Sequence, residues 1–230
     1  MNTSLSFSWE KIDTVLLDMD GTLLDLHFDN YYWHELLPGY LANKKGISLH
    51  ESQKHLISLQ EEVKGTLDWY CLDYWSNKLE VDILRLKQDV LHKIDFRPNT
   101  VEFFEFLKKL KVERKEEGRT PFKVIMATNA HPDAIELKML KADMNQYFDA
   151  ICSSHDLGHA KEEQEFWIKL MNEYDLAASN CLFIDDSLSV LKSAQKFGIG
   201  HLLAIDKPDS MKPAHDTSPF ISLSDFSQLT

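Results

Sequence analysis

A doubly wound, parallel α/β sheet interrupted by one long helical insertion is the fold predicted for this chain, on three observations. Five short apolar runs, at residues 12–17, 122–127, 148–152, 181–184 and 201–205, have the length and composition of buried strands. Segments long enough for a helix separate the last four, which is the alternation a parallel sheet requires. The first and second runs, by contrast, stand more than 100 residues apart, so a separate unit is inserted between them.

The first run leads directly into Asp18-Met19-Asp20-Gly21-Thr22, where Gly21 permits a sharp turn. From 26 to 97 no strand pattern recurs. Instead 30–43, 49–64, 67–79 and 81–93 carry apolar residues near a 3.6-residue period, which predicts four helices. Pro98 and Asn99 then open an amphipathic helix over 101–110 that leads to the second strand. Residues 111–120 are mostly charged, with Gly118 among them and Pro121 behind, and are expected to form a solvated loop. After Lys207 the chain is polar, carries Pro208, Pro213 and Pro219, and is expected to wrap the surface. The domains predicted are therefore a core of 1–25 and 98–230 and a helical insertion of 26–97.

With 230 residues, 43% of them hydrophobic, the chain can build one large domain or a domain with a smaller insert. A net charge of −12 would repel both a nucleic-acid backbone and an anionic membrane, so neither is an expected partner. A small phosphate-bearing ligand remains admissible if a metal ion or local Lys and N–H groups reverse the sign inside a pocket. Cys71, Cys152 and Cys181 form no C-x-x-C pair, and two lie in strand-like runs, as expected of reduced thiols packed in a cytoplasmic protein. Residues 1–10 lack the basic and apolar regions of a leader, and no apolar stretch approaches the ~18 residues that span a bilayer. Composition leaves monomer and homodimer both open.

Chemistry concentrates at the predicted strand ends, where open α/β sheets place their ligands. Residues two apart in an extended chain point the same way, so Asp18 and Asp20 can address one site, one attacking and the other moving protons. Thr128 and Asn129 follow the second strand and could cradle phosphate oxygens through a hydroxyl and backbone N–H groups, or simply cap a helix. After the third strand a loop containing Gly158 leads to Lys161, beside a helix beginning at Glu162; a lysine there can equally be solvated. Asp185, Asp186 and Ser187 follow the fourth strand and offer the oxygen ligands that Mg²⁺ takes, or a helix cap.

Taken in order, Asp18-x-Asp20-Gly21-Thr22, Thr128, Lys161 and Asp185-Asp186 resemble the motifs of the haloacid dehalogenase superfamily of phosphohydrolases, and the resemblance covers essentially the whole chain. Its fold would be an HAD-like, Rossmannoid core, with the helical insertion as a C1-type cap. Segments such as Leu67-Asp68-Trp69-Tyr70-Cys71-Leu72-Asp73-Tyr74-Trp75 and Thr128-Asn129-Ala130-His131-Pro132 resemble, more narrowly, its purine nucleotidases acting on GMP and IMP. The resemblance implies a Mg²⁺-dependent 5′-nucleotidase with a nucleoside monophosphate as substrate. Asp18 would be the nucleophile that becomes an aspartyl phosphate, and Asp20 the acid and then the base. Asp18, Asp185 and the backbone carbonyl of Asp20 would hold the metal, with Thr128, Asn129 and Lys161 on the phosphate and Asp186 in support. In the cap, Trp33, Trp69, Tyr70, Tyr74 and Trp75 offer either a stacking surface for a purine or the cap's own core. Asn30, His34, Asp73 and His131 are candidates to read or flank the base. A sugar-phosphate phosphatase or phosphomutase would share every core motif. A non-catalytic phosphate-binding module would have no use for the acid at position 20.

Overall fold

Strand β1 (Thr14–Leu17) is the sheet's hub, pairing in parallel with β2 (Lys123–Thr128) on one side and β4 (Cys181–Asp185) on the other. With β3 (Ala150–Ser153), β5 (His201–Ile205) and a two-residue β6 (Ser222–Leu223), the order is β3-β2-β1-β4-β5-β6, all neighbours parallel. The computed structural model describes residues 8–230. Residues 1–7, most of the segment scanned for leader features, lie outside the described residues. The winding direction reverses between β1 and β4, the topological switch point where such sheets bind ligands.

The pleat divides the core in two. Val15 and Leu17 face one layer with Phe103, Phe104, Leu107 and Ile135, and Leu16 faces the other with Phe166, Trp167, Leu170 and Leu191. The helices involved are α7 (Thr100–Glu116) and α8 (Pro132–Met139) on the first face, and α10 (Gln164–Tyr174) and α11 (Leu188–Phe197) on the second. Between β1 and α7 the described residues form helices and two single-residue bridges, Asp20 to Leu24 and Leu24 to Phe96. These helices are α1 (His27–Tyr31), α2 (Leu37–Lys45), α3 (Leu49–Val63), α4 (Leu67–Tyr70), α5 (Leu72–Leu79) and α6 (Ile83–Gln88). A π turn, Tyr32–Leu36, joins α1 to α2 just before Pro38, which has no N–H for the carbonyl of His34; the Gln53 side chain donates to that carbonyl instead, at 3.4 Å. The helix predicted over 67–79 is split at Cys71, whose extended backbone lets its sulfur accept the Tyr74 N–H as an N-cap. The segment predicted as one helix over 81–93 shortens to α6 and a 3₁₀ turn, Leu91–Lys93.

Four expectations are corrected. Residues 111–120 are not mainly loop: α7 continues to Glu116 and stops near Gly118, at φ +66°. Its Lys, Arg and Glu are good helix formers, and Arg114 turns inward to Asp13 and the Trp9 carbonyl. The tail is not only a surface wrap. β6 extends the sheet, and Phe226 stacks on Phe103 at 4.6 Å, because its apolar residues close the edge that β5 would otherwise leave open. α9 (Ser154–Leu157) lies in what was expected to be a loop after β3, with Gly158 as its left-handed cap. The helix beyond Lys161 starts at Gln164 rather than Glu162.

Arg97 ties insertion, site loop and tail together, its buried guanidinium donating to the carbonyls of Thr22 (3.1 Å), Ser224 (2.8 Å) and Lys207 (3.3 Å). Replacing it with Met leaves three acceptors without their charged donor. Arg97→Met is therefore expected to lower unfolding stability by about 2–4 kcal/mol in urea titrations; an unchanged midpoint would show that the contacts carry no weight.

Candidate active site

Parallel register sets the carboxylates level. Leu17 pairs with Met126 and Ile184, so Asp18, the next residue, emerges beside Ala127 and Asp185, its N–H donating to Ile184 at 3.1 Å. β2 and β4 each extend one residue beyond their predicted ends, which makes Thr128 and Asp185 the last residues of their strands. Lys161 arrives from beyond α9, its N–H donating to Asn129 Oδ1 at 2.9 Å. Its buried Nζ reaches Asp18 Oδ1 at 2.5 Å, Asp185 Oδ2 at 2.7 Å and the Ala127 carbonyl at 3.1 Å.

Burial opposes the charge on Lys161, but Asp18 and Asp185 outweigh it and hold its pKa above the usual lysine value. Burial pushes Asp18 up to about 6, against the pull of Lys161 and with Asp185 adding to the rise. Asp185 is raised by burial, and Asp186 well above the usual carboxylate range by burial and by the charges of Asp185 and Asp18. Asp18, Asp185 and Asp186 bring carboxylate oxygens within 4.8 Å of one another. Three converging carboxyl groups beside one ammonium, their donors hard oxygens that a bound cation would hold deprotonated, fit a divalent cation of the Mg²⁺ type. Asp185 is held for such a role by the Ser187 N–H at 2.7 Å.

Asp20 turns its carboxylate the other way, to Lys138 Nζ at 2.6 Å. Lys138 also reaches Asp29 Oδ2 at 2.6 Å, and Asp29 Oδ1 accepts from Lys87 at 2.6 Å. Burial, with help from the charges of Asp29 and Asp18, raises Asp20 to about 6 despite Lys138. Burial would raise Asp29 too, yet Lys138 and Lys87 hold it below the usual range. This chain escapes a search for motifs. The available signal was a lysine on each apolar helix face, Lys138 three residues after Ile135 and Lys87 four after Ile83.

Thr128 is buried and its Oγ1 accepts the Ala130 N–H at 3.1 Å. Asn129 donates Nδ2 to Glu162 Oε2 at 3.0 Å, and Glu162 Oε1 accepts from the Tyr70 hydroxyl at 2.8 Å, so Glu162 joins the insertion to the sheet edge. Asp18, Asp20, Thr128, Asn129, Lys161, Asp185 and Asp186 all border one cavity of about 220 Å³. Asp20, Leu26, Tyr70 and Ala130 also border a second, of about 300 Å³, which runs under the insertion. Asn30, His34, Trp69 and His131 line the second cavity. Asn30 is already engaged, donating to Asp209 at 2.6 Å. Asp73 is not among the lining residues; its exposed carboxylate stands 3.8 Å from His131 Nε2. Of the aromatics, Trp33, Trp69, Tyr70 and Trp75 line the second cavity, while Tyr74 packs edge-on against Trp75 at 5.1 Å.

The family model of haloacid dehalogenase-like hydrolases matches residues 12–198. The chain belongs to that family. It is 36% identical over 225 residues to the GMP/IMP nucleotidase YrfG of Escherichia coli (strain K12), covering 98% of this chain and 97% of that one. Among solved structures, an HAD phosphatase from Thermococcus onnurineus superposes with a TM-score of 0.74 at 19% identity, covering 95% of this chain and 96% of that one. CbbY from Rhodobacter sphaeroides, in complex with phosphate, gives 0.63 at 15% identity over the same shares. At those identities the two structures establish the fold alone. No helix among the described residues is long and apolar enough to cross a membrane.

Gly21 sits at φ +81°, and a Cβ there would fall 2.6 Å from Asp186 Oδ2. Gly21→Ala is expected to cost about 1–3 kcal/mol in thermal unfolding; no loss would mean that Asp186 moves aside freely. Metal ligands must be deprotonated. Protons would compete with a divalent cation for these carboxylates, and burial raises Asp18 to about 6, so a divalent-cation affinity measured by calorimetry is expected to fall about tenfold or more from pH 7.5 to pH 5.

Proposed function

We propose that the protein is a Mg²⁺-dependent phosphomonoesterase that hydrolyses purine nucleoside 5′-monophosphates, GMP and IMP, through an aspartyl phosphate on Asp18. The observation carrying this proposal is the pair of contiguous cavities: one ringed by the strand-end carboxylates and Lys161, the other aromatic and large enough for a nucleoside, with Asp20 between them. The near full-length relative named as a GMP/IMP nucleotidase supports the substrate class. On the same proposal residues 26–97 act as a cap over a core of 1–25 and 98–230, and the three free thiols suit a cytoplasmic enzyme.

In this mechanism the phosphate rests between the Asn129 backbone, Thr128 and Lys161, whose charge offsets the negative charge of the equatorial oxygens. A carboxylate oxygen of Asp18 attacks phosphorus in line as the bond to the ribose 5′-oxygen breaks. Asp20 starts the cycle protonated, a form its pKa of about 6 makes accessible, and turns from Lys138 to give that proton to the leaving oxygen, releasing the nucleoside. It then takes a proton from the water that attacks the aspartyl phosphate, which restores Asp18 and frees inorganic phosphate. Asp18 and Asp185, with the Asp20 carbonyl, would hold Mg²⁺, which when bound neutralises charge on the phosphoryl group. Asp186 supports that site. Trp69 and the neighbouring aromatics would stack on the base, with His34, Asn30 and His131 at its edges.

Phosphate release is expected from GMP and IMP, to stop with EDTA, and to fall about 10²–10⁴-fold in Asp20→Asn. Because water attacks at phosphorus, a single turnover in H₂¹⁸O is expected to place label in the released phosphate and not in Asp18, and the acyl phosphate on Asp18 is expected to be trapped by hydroxylamine. Hexose phosphates turning over far faster than GMP and IMP would overturn the substrate assignment.

A further inference from the structure

Outside the carboxylate cavity, three side chains of the kind that bind metals converge from separate segments. Cys71 stands at the break between α4 and α5, His131 precedes α8, and His155 lies in α9. Their sulfur and ring nitrogens lie within 4.8 Å of one another, and the two imidazole rings are 4.9 Å apart. Each residue is half-buried.

His155 carries the independent sign of a ligand. Its Nε2 is buried and has no hydrogen-bond partner, a deficit that ordinarily costs about 1–3 kcal/mol. The ring interacts with the backbone of Asn129, as a metal-binding imidazole does when its other nitrogen is fixed by a carbonyl. Burial, with His131 beside it, lowers the pKa of His155 and so favours the neutral form that ligates. His131 offers Nε2, which faces Asp73 at 3.8 Å; its Nδ1 accepts the Asp133 N–H at 3.3 Å as the cap of α8 and stands 3.7 Å from the Asp133 carboxylate, to which it would donate instead once Nε2 turns to a metal. Cys71 already accepts the Tyr74 N–H, a contact that a thiolate keeps.

We propose that Cys71, His131 and His155 form a second metal site, for a Zn²⁺-type divalent transition ion, which fastens the inserted helices to the segments after β2 and β3. One sulfur and two imidazoles make a soft donor set that selects this class over Mg²⁺. Tetrahedral bonds of about 2.0–2.1 Å to nitrogen and 2.3 Å to sulfur put donors roughly 3.3–3.6 Å apart, so the triangle closes with shifts of about 1 Å. The fourth position falls to water or to the exposed Asp73.

The test uses the full chain with saturating Mg²⁺, so that the carboxylate site is filled, and Co²⁺ as the probe. One equivalent of Co²⁺ is expected to give a thiolate-to-metal charge-transfer band and tetrahedral d–d absorption, both displaced by Zn²⁺. Cys71→Ser keeps an N-capping side chain and is expected to lose the charge-transfer band. His155→Ala is expected to weaken Co²⁺ binding at least tenfold. Zn²⁺ is also expected to raise the melting temperature of the wild type and not that of Cys71→Ser. Absence of the band in the wild type, or its persistence in Cys71→Ser, overturns the proposal. Neither result depends on phosphatase activity, so the two proposals fail separately.

Discussion

One buried ammonium organises the carboxyl edge of this sheet. Lys161 Nζ meets Asp18, Asp185 and the Ala127 carbonyl, so it touches the ends of β1, β4 and β2 at once. The three carboxylates around it would repel one another without it, and burial, more than that repulsion, raises their pKa values. Breaking such a cluster by removing the cation ordinarily costs several kcal/mol, because an uncompensated buried charge is left behind. Asn129 and Gly21 are subordinate to this arrangement. Asn129 fixes the backbone of Lys161, and Gly21 gives Asp186 the room to approach.

A second ionic chain links this edge to the insertion. Asp20, Lys138, Asp29 and Lys87 alternate in sign through contacts of 2.6 Å, and the last two come from α1 and α6 of the inserted segment. The position of the Asp20 carboxylate therefore answers to helices far from it in sequence. Tyr70 and Glu162 make a parallel connection on the other side of the cavity. A displacement of α1 or α6 would therefore reach the Asp20 carboxylate through two lysines.

Strand positions were legible because a buried parallel strand is a short apolar run bounded by polar turns, a local property. The motif carboxylates were legible for the same reason: Asp18 and Asp185 directly follow such runs. The end of α7 was misjudged because charge suggested solvent, whereas Lys, Glu and Arg also favour helix and the buried Arg114 had the Trp9 carbonyl to reach. β6 was missed because two residues carry no periodic signal.

By itself the sequence determined the parallel α/β core, the helical character of the insertion and which strand ends carry acids, since each follows from periodicity and composition over a few residues. The tertiary structure alone decided that Lys138 and Lys87 serve Asp20 and Asp29, that Asp73 meets His131 without lining the cavity, and that Cys71 meets His131 and His155. Those outcomes depend on distances between segments tens of residues apart, which packing sets and no local pattern encodes.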